Sequence, residues 1–124
     1  MSYDSRLYVV EKQPKEWTLI DEDGNQMHYG SVIAEFDLCH ISDVSNKMRE
    51  YPATDTYIYI GDNTKVTEDK YGEPLTEIPL EDAIEIIEQA AEKGDYRRYK
   101  PCLGLLKGFD QGEWEELVVL HYGY

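Results

Sequence analysis

The chain has 124 residues, 26 acidic against 12 basic side chains for a formal net charge of −14, 11 tyrosines and two cysteines. That charge exceeds the magnitude of about 2–8 usual for a small soluble domain, and it repels nucleic acid and anionic membranes. Hydrophobic residues at 41% supply a core, which excludes a disordered acidic tail and predicts one compact α+β domain over 1–124.

Residues 6–12 read as a first strand, with Leu7, Val9 and Glu11 on one face and Tyr8, Val10 and Lys12 on the other. Pro14 interrupts it, and residues 17–20 form a short second strand or a loop packed by Trp17. Asp23, Gly24 and Asn25 mark a turn, since Gly and Asn tolerate positive φ. A long strand over 27–41 follows. In it Val32, Ala34, Phe36 and Leu38 alternate with Ile33, Glu35, Asp37 and Cys39. Residues 43–51 spell a short helix, capped by Ser42 or Asp43 and stopped by Pro52. Residues 54–60 return to a strand that carries Tyr57 and Tyr59 on one face and Ile58 and Ile60 on the other. Gly61, Asp62 and Asn63 turn the chain into a short strand over 64–67, then a loop over 69–76 around Gly72 and Pro74.

The clearest helix spans 79–93. Pro79 suits a first turn and Gly94 a C-cap. Leu80, Ala83, Ile84, Ile87 and Ala91 form an apolar stripe, widened by Ile86 and Ala90. Glu81, Asp82, Glu85, Glu88 and Glu92 cover the outside. The charge then reverses in Lys93, Arg97, Arg98 and Lys100, interleaved with Tyr96 and Tyr99, and Pro101 limits any second helix there. Residues 102–109 and 114–122 read as a C-terminal β-hairpin across Asp110, Gln111 and Gly112. Leu117 to Leu120 are apolar on both faces, which marks a central strand covered on two sides or a homodimer contact. The expected architecture is an antiparallel or mixed sheet packed by one main amphipathic helix, with that hairpin closing the chain.

Motifs that carry chemistry are missing. His28, Cys39, His40, Cys102 and His121 lack zinc spacing. Asp21, Asp23 and Asn25 begin like a calcium loop, but its glycine comes two positions early and Val32 stands where the bidentate Glu belongs. Residues 104–108 hold two glycines and Lys107 without the Walker spacing. Acid pairs such as Glu35/Asp37 and Glu115/Glu116 are too abundant for one to be singled out as general acid and base. No cofactor or metal is expected, and Cys39 and Cys102 read as free buried thiols. No apolar run reaches about 18 residues and the start lacks a secretory pattern, so a cytoplasmic location is expected.

The acidic stripe is the better guide. Glu81, Glu85, Glu88 and Glu92 recur at three or four residues and share one helix face. They are either a solvated surface or a docking face for a basic protein partner. Tyr57, Tyr59, Tyr71, Tyr96 and Tyr99 supply rigid contact area with a polar tip, or else roof the core. In size, acidity, tyrosine content and lack of catalytic motifs the chain resembles accessory proteins carried by phages and mobile elements of bacteria. That resemblance lies in general character and transfers no site residue. It implies an accessory or inhibitor role. The expected function is a non-enzymatic protein-binding module with no direct contact to nucleic acid or membrane. The alternatives are a nucleic-acid-mimicking inhibitor and a small enzyme or ligand-binding protein. A deep pocket lined by histidine and paired carboxylates would favour the enzyme.

Overall fold

A computed structural model describes residues 5–12, 18–20, 24, 26–37, 42–61, 64–68, 72–93, 99–110, 112 and 116–123. In chain order the elements are β1 (Ser5–Lys12), β2 (Thr18–Ile20), β3 (Gln26–Asp37), α1 (Ser42–Arg49), β4 (Thr56–Ile60), β5 (Thr64–Val66), β6 (Thr76–Pro79), α2 (Leu80–Lys93), α3 (Tyr99–Asp110) and β7 (Leu117–Gly123). The fold is α+β, a multi-stranded sheet with two substantial helices packed on it. Trp17, Asp21, Asp23, Asn25, Leu38, Cys39, His40, Tyr71, Gly94, Tyr96, Arg97, Arg98, Trp114 and Glu115 lie outside the described residues, and so do the expectations that fell on them.

The sheet runs β5-β4-β3-β1-β7-β6, with β2 extending along the β1 side of β3. β1 is antiparallel to both β3 and β7, whereas β3 and β4 are parallel. Strand alternation sends Leu7, Val9 and Val119 to one core and Tyr8, Val10 and Leu120 to another. The register of β1 against β3 slips between Val9, opposite Ala34, and Val10, opposite Val32. Ile33 is the extra residue of this bulge. A regular strand would put Val32, Ala34 and Phe36 on one face. The bulge instead sends Ala34 and Phe36 to the first core and Val32 to the second.

The second core is enclosed because the sheet closes on itself. The chain entering β4 pairs back onto β6. Thr54 N–H donates to Leu75 O at 2.8 Å, Glu77 N–H donates to Pro52 O at 3.0 Å, and Ala53 bridges Thr76. The pairings β1-β3-β4-β6-β7 thus form a ring. Its interior holds Tyr8, Val10, Ile58, Leu75 and Leu120, all fully buried. Gly30 has no room for a side chain, since a Cβ there would run into Thr56 Cγ2 and Val10 Cγ1. At one mouth the Tyr122 ring packs edge-on against Tyr8 at 6.3 Å, and the Arg6 guanidinium lies 5.6 Å over Tyr122. This ring also explains why 117–120 is apolar on both faces. Val119 meets the helices and Leu120 the ring interior, within one chain.

The helices cover the first core. α2 lies between α1 and α3, and Ala83, Ile86 and Ile87 bury its apolar stripe against Leu7, Val9, Ile78 and Val119. β6, a strand of four residues, was legible only as loop and helix start. Its Pro79 ends a strand, and α2 begins one residue later. The expected C-terminal hairpin is replaced. Residues 102–109 belong to α3, and β7 pairs with β1 and β6. Tyr99, Cys102 and Leu106 recur at helical spacing and are buried. Pro101 occupies the first turn, where its missing N–H costs nothing. Gly104 and Gly108 face solvent with open space around them, and these weak helix formers disguised the pattern.

Two stability measurements check this packing. Ile87→Asp removes a fully buried side chain and buries a charge, so it is expected to lose on the order of 4 kcal/mol or more in a denaturant titration. Wild-type stability in that variant would contradict the placement of α2. Gly104→Ala is expected to raise stability by about 1 kcal/mol, because alanine favours an exposed helix interior. A loss of stability would contradict a helical α3.

Candidate functional site

The acidic stripe lies along α2 as spaced in the sequence. Glu81, Glu85 and Glu92 are exposed and Glu88 is half-buried. Among the described residues, Glu88 alone of the four has an ion-pair partner, Lys107 of α3 at 2.9 Å. On the other flank, Lys47 Nζ donates to Gln89 Oε1 at 3.3 Å, and Gln89 Nε2 donates to Glu85 Oε1 at 3.4 Å. Most of the stripe therefore keeps its charge facing water.

The tyrosines divide. Tyr99 is fully buried in the helix-side core, so it leaves the candidate binding set and acts as roof. Tyr57 and Tyr59 share a face of β4 and meet Tyr29 of β3. Ring centroids lie 5.6 Å apart for Tyr29–Tyr57, 5.9 Å for Tyr29–Tyr59 and 5.9 Å for Tyr57–Tyr59. Tyr57 is only 6% exposed and Tyr59 is 41% exposed, so Tyr59 presents the surface and Tyr57 supports it. Lys65 Nζ sits 6.0 Å from the Tyr57 centroid. Tyr96 lies outside the described residues.

A pocket of about 560 Å³ opens where the ring's seam meets α1. Its floor is one cross-strand row: Ala53 bridges Thr76, and Thr76 pairs with His121. His121 is 2% exposed. The Thr76 hydroxyl is buried without a hydrogen-bond partner. Asn46, Arg49 and Glu50, from the last turn of α1 and just beyond, and Glu73 and Pro74 are exposed and line its rim. Tyr51 supplies the aromatic side, its hydroxyl donating to Asp82 Oδ2 of α2 at 3.0 Å. Burial, the Asp82 hydrogen bond and the charges of Asp82, Glu85 and Glu50 raise the Tyr51 pKa. The pocket therefore borders the acidic helix. Glu50 and Glu73 are exposed, so they supply charge at the rim rather than a desolvated acid and base. The lining residues come from three separate segments, 46–53, 73–76 and the strand that carries His121. His121, a histidine inside an apolar strand, was the only one the sequence flagged.

The other mouth of the ring holds a polar network. Lys12 Nζ lies 2.9 Å from Glu77 Oε1 and 3.7 Å from Asp55 Oδ1. Thr54 Oγ1 donates to Glu77 Oε1 at 2.8 Å, and His28 Nε2 is 3.6 Å from Asp55 Oδ2. Burial alone would lower the Lys12 pKa. The hydrogen bond and charge of Glu77, with Asp55 and Glu116, outweigh it and hold the ammonium above its ordinary value. Such a lysine stays charged and tethered, which suits a clamp and not a nucleophile. Cys102 is equally inert, since burial pushes its thiol up to about 12. Among the described residues no three His, Cys, Asp or Glu side chains gather as a metal set, and no helix is long and apolar enough to cross a membrane.

Compared with family models, curated proteins and solved structures, the chain matches none.

The clamp has a pH signature. Its folded-state pKa lies above the unfolded value, so its contribution is complete below about pH 10.5 and fades as pH rises through the folded value. Lys12→Met is expected to lose about 1–3 kcal/mol at neutral pH. The gap to wild type should narrow above about pH 10.5, with the tyrosines titrating alike in both. A gap that stays constant through that window would contradict the clamp.

Proposed function

We propose that the protein is a non-enzymatic binding module that engages a basic protein partner through its acidic surface. The observation that carries this is the α2 face, where Glu81, Glu85 and Glu92 are exposed while Lys107 answers Glu88 alone. An overall charge of −14 steers a positively charged partner and repels nucleic acid. Tyr59, braced by Tyr29 and Tyr57, adds contact area with a polar tip. An accessory or inhibitor role of the kind found on phages and mobile elements fits such a module. Mimicry of nucleic acid is the special case in which the partner's basic surface is a nucleic-acid groove.

The pocket favours a second reading, a ligand-binding protein. Its volume of about 560 Å³ falls within the range of small-molecule sites. Its histidine and two carboxylates meet the residue types of an enzyme, but both carboxylates stand exposed at the rim.

The first reading predicts a salt-sensitive partner. Pull-down from host extract should recover a basic protein at about 0.05 M salt and much less at about 0.5 M, where screening acts within a few ångströms. Glu81→Lys/Glu85→Lys/Glu92→Lys should weaken the same capture while leaving the fold intact, because all three side chains are exposed. Capture indifferent to both salt and charge reversal would contradict the acidic-face mode.

A further inference from the structure

The pocket at the seam has a sign. Glu50 and Glu73 stand at its rim, and the Tyr51 hydroxyl on its wall is held by Asp82, with Glu85 close enough to add its charge. Two carboxylates, Glu50 and Glu73, thus line the opening against one cation, Arg49, while Asp82 and Glu85 add their charge behind the Tyr51 wall and Lys47 of α1 is turned toward Gln89. Asn46, Arg49 and Glu50 also come from the C-terminal end of α1, the negative pole of its dipole. The walls between are apolar or aromatic, made by Ala53, Pro74 and the Tyr51 ring. At the floor, the buried Thr76 oxygen is an unused acceptor beside His121.

A negative rim, an apolar wall and a spare acceptor below match a long aliphatic stem that ends in a cation. We infer that this pocket receives one arginine or lysine side chain from the basic segment of a protein partner, the rest of that segment lying along α2. The inference rests on the proposal that the acidic surface binds a basic protein, and it adds an anchoring position to it. Continuity supports the path, since the Tyr51–Asp82 hydrogen bond joins the pocket wall to the first turn of α2. A rim of charges gives attraction and orientation, whereas a filled pocket gives a residue-specific contact.

The probe is a blocked pentapeptide, acetyl-Gly-Gly-Arg-Gly-Gly-amide, with a lysine and a citrulline version, titrated into the isotope-labelled protein and followed by amide chemical shifts. The arginine and lysine peptides are expected to bind with Kd on the order of 1 mM and to shift the amides of Glu50, Ala53, Glu73 and Thr76. The citrulline peptide, isosteric and neutral, should not. Glu50→Gln, at an exposed position, should weaken the charged peptides about three-fold without loss of stability. Shifts confined to α2 would overturn the pocket assignment and leave the acidic-face proposal standing. Pocket shifts with no response along α2 would support the pocket, since the glycine flanks carry no charge for that face, and the acidic face is then judged by its own salt and charge-reversal test. No shift anywhere, or equal binding of the citrulline peptide, would overturn the inference.

Discussion

Two backbone hydrogen bonds, Thr54 to Leu75 and Glu77 to Pro52, join the ends of a sheet that would otherwise have open edges at β6 and at the entry to β4. Unpaired edge groups buried beside a core are costly, and open ones invite other strands. Closing the ring removes both problems at this seam. It also turns one face of the sheet into an interior, which is how a chain of 124 residues buries Tyr8, Val10, Ile58, Leu75 and Leu120 without a second layer of helices. Gly30 belongs to the same constraint, because the ring brings Thr56 and Val10 too close for any side chain there.

The chemistry follows from the seam. On the inside, alternation along β1 and β6 carries Lys12 and Glu77 toward one mouth, where with Asp55 and Thr54 they tie together strands that are not neighbours. On the outside, the same pairing lays Ala53, Thr76 and His121 in a row, and α1 ends over that row. The clamp and the pocket are therefore two faces of one closure. The acidic helix is attached to it through Tyr51 and Asp82, so surface charge and pocket form one continuous region.

Local patterns made part of this legible in the sequence. The stripe of α2 and the faces of β1 and β4 follow from periodicity alone: Ala83 and Ile87, Leu7 and Val9, Ile58 and Ile60 point where their spacing sends them. α3 was hidden because Gly104 and Gly108 weaken its helical signal, and Cys102, Leu103, Leu105 and Leu106 read equally well as a strand. The bulge at Ile33 was invisible because nothing in an unbroken apolar alternation marks an extra residue. Of the pocket, only His121 was marked in the sequence. Its other residues are ordinary types until a seam between 53 and 76 brings them together, and pairing at that separation leaves no local trace.

Hydrogen exchange tests the closure most directly. Amides whose bonds break only on global unfolding exchange far more slowly than those of a frayed edge. If the ring is closed, the Thr54 and Glu77 amides exchange as slowly as those of Val9 and Val119 in the central strands. If they exchange at the rate of exposed edge amides while Val9 and Val119 stay protected, the sheet is open there, and the clamp and the pocket lose the seam that builds them.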